Sequence, residues 1–227
     1  MRAALEIMEL KRIYSRIAQR YDWQHGLITA KSDQRGRRMV VEQTVRPGDL
    51  VLDAGAGTAS TGILAARKAA PSGSVTCLDL CDEMIAVARE KVAREALATA
   101  INFTTGDMCH LPFADNHFDV ALSTYSLCPL YDPARGVLEL YRVVKPGGRI
   151  GLAYSDTPEQ PFMQWLTNKI ERMAWLIPSL SMGCRAIDVL PAIQHTDARM
   201  IMNRKIGIPL WPFRVIIFEK SDHPLAV

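Results

Sequence analysis

The chain has 227 residues, 48% of them hydrophobic and 22% charged, with a formal net charge of +3 at pH 7. That length suits one domain with a substantial core, and so small and scattered a positive excess argues against a nucleic-acid partner. The cysteines (Cys77, Cys81, Cys109, Cys128, Cys184) are odd in number and show neither disulfide-like nor CxxC spacing, so a reducing compartment and no metal site are expected.

The first residues, MRAALEIMELKR, interrupt their apolar positions with Glu6, Glu9, Lys11 and Arg12, unlike a signal peptide. No run approaches the ~18 apolar residues that a membrane span requires, and a cytoplasmic protein is expected. Residues 3–20 carry Leu5, Met8, Ile13 and Ile17 at helical spacing. The tract 21–33 is mixed and reads as partly irregular. A helix is expected from Arg37 to Val45, stopped by Pro47-Gly48. DLVLDAG reads as a buried strand, residues 61–70 as a helix, 71–73 as a turn and 74–80 as a second strand. Asp82 is placed to cap a helix over 83–98. Strands follow at 101–107 and 117–125, then a helix opened by Asp132, a turn at Lys145-Pro146-Gly147-Gly148 and a fifth strand at 149–155.

Strands alternating with helices at this pace indicate right-handed crossovers and a parallel sheet covered on both faces. Residues 158–195 read as helical. RMIMNRKIGI and PFRVIIFEK read as two strands joined without a helix, hence antiparallel.

The loop VLDAGAGTASTG ends the first strand in Asp-x-Gly-x-Gly and runs into a helix, which brings backbone N–H groups close to a ligand above the strand ends. A dinucleotide fingerprint requires glycine where Ser60 stands, and no Gly-Lys-[Ser/Thr] follows, which excludes a P-loop. Asp53 would repel a pyrophosphate but can accept from an ammonium group or its ordered water. A zwitterion with a ribose and an adenine suits such a loop, and S-adenosylmethionine (SAM) is one. Asp79 ends the second strand, at a reach suited to ribose hydroxyls. Asp107 follows the third, placed for an adenine amino group, with Met108 offering apolar contact.

VLDAGAGTA, CLDL, GDMCHLPFADNHFDVALS and RVVKPGGRI, in that order, resemble the motifs of class I SAM-dependent methyltransferases. YSRIAQRYDWQHGLIT, LPFADNHFD and YRVVKPGG are similar to the ubiquinone and menaquinone C-methyltransferase group. The resemblance covers roughly residues 12–156 and weakens beyond. It implies a Rossmann-like α/β fold with helices on both faces of a seven-stranded sheet, strand order 3-2-1-4-5-7-6, and the last strand antiparallel. It divides one domain into a helical lid (1–46), a cofactor core (47–156), a helical acceptor-side cover (157–200) and a terminal strand pair (201–227). Thr58, Asp79, Asp107, Met108 and Thr124 fall on the family's cofactor-contact positions; Asp53, Gly55 and Gly57 carry the loop itself. Ala59 departs from the pattern, because the family usually has a third glycine there, and its methyl group is expected to narrow the approach to the ligand's carboxylate.

Tyr21, next to Asp22, lies in the segment that this group folds over the cofactor. Helix packing accounts equally well for Tyr14. His25, in the same segment, can serve as a general base, against an ordinary reading as a solvated loop histidine. A water held by Tyr125 is the other proton acceptor considered. His110 and His117 read as surface residues, and His195 as a residue at a helix end. The tract PFMQWLTNKIERMAWLIPSLSMG suits a helix packed on the sheet, a greasy acceptor pocket or docking on a membrane surface.

The acceptor expected from these features is a small, largely apolar molecule, with a polyprenylated quinol precursor leading. The alternatives are a phospholipid or other metabolite methylated on nitrogen or oxygen, with Trp165, Trp175 and Trp211 as a candidate amine pocket, and a non-catalytic SAM-binding scaffold. Peripheral membrane contact and a homodimer complete the partners considered.

Overall fold

The computed structural model describes residues 5–29, 32–174 and 182–222. Trp175, Leu176 and Ile177 of the hydrophobic tract lie outside the described residues. The elements in chain order are α1 (Ile7–Ile17), a 3-10 turn (Ala18–Arg20), α2 (Tyr21–Ile28), α3 (Ser32–Thr44), β1 (Leu50–Ala54), α4 (Ser60–Ala69), β2 (Ser74–Asp79), α5 (Asp82–Arg94), β3 (Ile101–Thr105), β4 (Phe118–Thr124), α6 (Pro133–Val143), β5 (Val144–Ser155), α7 (Pro161–Ala174), α8 (Leu190–Gln194), β6 (Arg199–Ile208) and β7 (Trp211–Glu219).

The strands form one sheet in the order β3-β2-β1-β4-β5-β7-β6, as the resemblance implies. β1 to β5 run parallel; β7 lies antiparallel between β5 and β6. Because successive side chains alternate faces, β1 feeds both layers of the core. Val51 joins Val40, Val41, Ile63 and Val75 under α3 and α4. Leu52 and Ala54 join Phe118, Leu140 and Ile150 under α6. The same alternation aims Asp53 into the α3–α4 layer, which sets its electrostatics.

Four local details depart from the sequence reading. Residues 182–189, expected to be helical, form no helix ahead of α8, and the stretch expected as a helical cover ends in β6 from Arg199. Residues 21–28 form a helix rather than a partly irregular stretch. Asp82 is the first residue of α5 and not its cap, because its carboxylate is drawn to Lys11 (3.0 Å) and the Thr105 hydroxyl (2.7 Å). Lys145–Gly148 belongs to β5 as a bulge: pairing with β4 jumps from Phe118↔Val144 to Val120↔Arg149. Asp132 caps α6 as expected, accepting from the Arg135 N–H at 2.9 Å.

The N-terminal helices lie across the carboxyl ends of the strands. α1 turns Leu10, Ile13 and Ile17 inward, and Ile17, Ala18 and Tyr21 pack with Cys81, Met84 and Met182. Polar ties reinforce the contact: Ser15 donates to Glu83 at 2.7 Å and the Tyr14 hydroxyl to the Met182 carbonyl at 3.2 Å.

Candidate active site

Above the strand ends lies a cavity. Its floor is made by Gly55–Gly57 after β1, Asp79 and Leu80 after β2, Gly106–Met108 after β3 and Thr124–Ser126 after β4. Its roof is Leu10, Tyr14 and Tyr21, and its apolar side includes Leu5, Met84, Pro129 and Leu130. A ligand here meets the crevice that open α/β sheets use for binding.

The loop geometry follows from its glycines. Gly55 adopts φ +69°, and a β-carbon there would collide with Ser126. Its N–H and that of Ala56 donate to the Leu78 carbonyl at 2.8 and 2.9 Å, pinning the loop to β2. Gly57, at φ +53°, faces open space, since a β-carbon there would meet only Tyr21 at 3.9 Å. A ligand can therefore approach the Gly57 backbone closely. Ala59 is also left-handed, at φ 60°, yet it is fully buried and packs in the α3–α4 layer rather than lining the cavity. Its methyl group does not narrow the ligand's approach as expected from sequence; the cost is backbone strain instead.

Two acids frame the cavity. Asp79 accepts from the Gly57 N–H at 2.7 Å and the Cys81 N–H at 3.0 Å. Burial raises its pKa, and these N–H groups partly offset the rise. Asp107 accepts from the Cys109 N–H (2.8 Å) and the Tyr131 hydroxyl (2.7 Å) and lies 3.3 Å from His110 Nδ1. Burial works against its charged form, but these partners outweigh it and hold the carboxyl below its usual range. Met108 reaches beneath the loop, its sulfur 3.7 Å from the Ser123 hydroxyl.

Behind the floor sits a buried polar network centred on Arg37. Its Nη1 donates to the hydroxyls of Thr61 (2.9 Å) and Thr124 (2.8 Å), which are 2.6 Å apart. Its Nε lies 3.6 Å from Asp33, and its guanidinium stacks over the Tyr125 ring at 5.1 Å. Asp33 also accepts from the Thr29 hydroxyl (2.9 Å) and faces His25 Nδ1 at 3.2 Å. Burial opposes ionisation of Asp33, but His25 and Arg37 keep it far below its usual range. Asp53 has no such partner. Among the described residues both its oxygens are buried without a hydrogen bond at good geometry, although the Gly62 N–H leans toward it. Burial raises its pKa to about 7, with Arg37 pulling the other way.

Tyr21, Gly55, Gly57, Thr58, Asp79, Asp107, Met108, Thr124 and Tyr125 all line the cavity. Asp53 sits below the loop. His25 is one layer back, stacked on Tyr21 (5.3 Å between centroids) and 5.5 Å from Tyr125, buried rather than solvated. The Tyr125 hydroxyl is buried without a partner among the described residues, where Gly36 leaves room for it, and burial pushes its pKa up, so it stays a neutral phenol.

The sequence reading did not single out Arg37, Tyr131 or Lys91, the cation beside Asp22. Arg37 is hidden in the run Arg35, Arg37, Arg38; only its i,i+4 spacing from Asp33 marks it. The donor set fits SAM: a glycine backbone open to close approach, an acid at each of two strand ends, a sulfur beside the loop, and a buried guanidinium lining the same cavity.

Residues 52–152 match the model of the methyltransferase domain family. The chain is 30% identical over 196 residues to the demethylmenaquinone methyltransferase of Lactobacillus johnsonii, covering 83% of this chain and 77% of the relative. It is 30% identical over 151 residues to the ubiquinone/menaquinone biosynthesis C-methyltransferase UbiE of Geotalea daltonii, covering 66% and 64%. Among solved structures, a SAM-dependent methyltransferase from Aquifex aeolicus superposes with a TM-score of 0.59 at 20% identity, covering 78% of this chain and 86% of that one. With the strand order, the glycine loop and the paired acids in place, the chain belongs to the class I SAM-dependent methyltransferases, in the ubiquinone/menaquinone C-methyltransferase group.

Proposed function

We propose that the protein methylates a ring carbon of a polyprenylated quinol precursor. The observation that supports this most is the similarity to a demethylmenaquinone methyltransferase across 83% of the chain, well beyond the cofactor core. The cavity's apolar side, with Leu5, Leu10, Met84 and Leu130, suits an aromatic, lipid-borne acceptor.

Bound SAM supplies an electrophilic methyl group. In this reading Asp79 would accept from the ribose hydroxyls, Asp107 from the adenine amino group, and Met108 would pack against the adenine. Tyr21, Thr58 and Thr124 would complete the cofactor contacts, Gly55 and Gly57 would shape the approach, and Asp53, buried beneath it, is fully charged only above about pH 7. The chain's own contribution is alignment and exclusion of water, with Leu10, Tyr14 and Tyr21 closing the roof. His25, fixed by Asp33, supports the tyrosine wall and takes the ring proton through water, because Tyr21 and Tyr125 stand between it and the cavity. Tyr125 stays a neutral phenol whose hydroxyl is buried against Gly36, so it contributes its ring to the wall.

An amine pocket, needed by a phospholipid N-methyltransferase, is not supported among the described residues. Trp165 is 56% exposed, and neither it nor Trp211 lines the cavity. The test is complementation of a strain lacking quinone methylation, with mass analysis of its lipid extract. Restored quinone supports the reading; newly methylated phospholipid without quinone overturns it.

A further inference from the structure

Helix α7 turns its largest apolar side chains to solvent. The side chain it buries is polar: the Thr167 hydroxyl donates to the Leu210 carbonyl at 2.8 Å, in the turn between β6 and β7, while Met163 and Leu166 are half-buried beside it. Its outward stripe is apolar. Phe162, Trp165 and Met173, at i, i+3 and i+11, are 64%, 56% and 72% exposed, and Ile170 is exposed beside them. Phe162 and Trp165 stack with ring centroids 6.1 Å apart. Two cations share the stripe, Lys169 and Arg172, and Lys169 Nζ sits 5.8 Å from the Trp165 ring centroid. Helical periodicity puts Glu171, the helix's acid, on the opposite side.

We propose that this face docks on an anionic lipid bilayer, with Phe162, Trp165 and Met173 inserted at the headgroup level. The charge pattern selects this occupant. A protein partner would have to bury Lys169 and Arg172 among apolar groups, and a twofold contact between two copies would bring these like charges together. At a bilayer both cations extend to lipid phosphates while their stems stay on the apolar surface. No described helix is long and apolar enough to cross a membrane, so the contact is peripheral. α7 leaves from the carboxyl end of β5, the end of the sheet that bears the cavity. Docking through it therefore brings that end of the sheet to the surface from which a polyprenylated acceptor would be drawn. The inference rests on the quinol reading for its purpose, though not for its geometry.

The test is sedimentation with vesicles of phosphatidylcholine alone and of phosphatidylcholine with phosphatidylglycerol. Wild type should sediment with the anionic vesicles, weakly with the neutral ones, and less as salt rises. The double variants Trp165→Ser/Met173→Ser and Lys169→Glu/Arg172→Glu should each lower partitioning roughly tenfold or more, with unchanged melting and SAM affinity. Wild type that stays in the supernatant with both vesicles overturns the proposal, as do variants that sediment like wild type. A concentration-dependent dimer lost on Trp165→Ser overturns it in favour of a self-interface. Complementation decides the quinol reading separately: anionic-vesicle binding without restored quinone leaves the docking face standing and removes the proposed acceptor.

Discussion

The Asp22 carboxylate accepts a 2.6 Å hydrogen bond from the Thr58 hydroxyl, joining the helix that roofs the cavity to the loop that forms its floor. Its other oxygen lies 2.7 Å from Lys91 Nζ, which also donates to Ser60. Closure of α2 over the site and the shape of the cofactor loop are therefore linked. Burial disfavours the charged form, but Lys91 and Thr58 hold the Asp22 pKa below its usual value. The latch is thus intact through neutral pH and is lost only as pH falls below the ordinary carboxylate range. Asp22→Ala should weaken SAM binding by about 1 kcal/mol, roughly fivefold, with little change in the melting temperature of the free protein, because Asp22 is half exposed and screened. Calorimetry on the two proteins checks this; unchanged affinity would show that α2 and the loop are uncoupled.

Arg37 should matter more to stability than any surface charge. It is buried, and it connects α3 to α4 and β4 through Thr61 and Thr124 while neutralising Asp33. Arg37→Met leaves the Asp33 carboxylate buried with one fewer cation and should cost about 3 kcal/mol or more in denaturant unfolding. Arg37→Lys should recover part of the loss, since an ammonium keeps the charge but not the planar fork. A melting curve for Arg37→Met that overlays wild type would remove Arg37 from the centre of the network.

Asp53 makes stability pH-dependent in the opposite sense to a salt-bridged acid. Its folded pKa of about 7 lies above the unfolded value. Between those two values the unfolded chain releases a proton that the folded chain keeps, so stability falls as pH rises across that window and levels off above about 7. A shift of this size corresponds to on the order of 4 kcal/mol. Asp53→Asn should flatten the decline between about pH 4 and 7, measured by urea unfolding at each pH. An unchanged slope would mean that Asp53 is solvated or paired in solution.

Ala59→Gly separates backbone strain from ligand contact. Glycine relieves the left-handed strain, worth about 1–2 kcal/mol, but loses a buried methyl and adds unfolded-state entropy. The net change in stability should stay within about 1 kcal/mol, and SAM affinity should be unchanged, because the methyl group points into the core. Tighter SAM binding in the glycine variant would show that the methyl group does reach the ligand.

What was legible in the sequence divides along physical lines. The strands of the parallel core announce themselves as short apolar runs ended by small residues, and the loop at Gly55 and Gly57 carries its own backbone requirement. The acids Asp79 and Asp107 could be placed at strand ends because a strand's end is readable from its apolar run. Contacts made between distant segments were not readable. Tyr21–Ile28 looks irregular because the polar residues of this helix, Asp22 and His25, are held by Thr58 and Asp33, partners the local sequence does not show. Asp82 looked like a cap until Lys11, some seventy residues earlier, claimed its carboxylate. Lys145-Pro146-Gly147-Gly148 has the composition of a turn, and only the pairing of Val144 and Arg149 on either side of it with β4, and its backbone bonds to Lys220, show a bulged strand.

The most direct measurement is transfer of a deuterated methyl group from SAM to a demethylated polyprenyl quinol, followed by mass spectrometry, for wild type and Asp79→Ala. The account predicts label on a ring carbon with wild type. For Asp79→Ala it predicts a loss of about 1.5–3 kcal/mol in SAM use, since the variant removes a charged acceptor and frees the Gly57 N–H. Wild type that binds SAM yet leaves the quinol unlabelled, or an Asp79→Ala variant that transfers label as well as wild type, would contradict it.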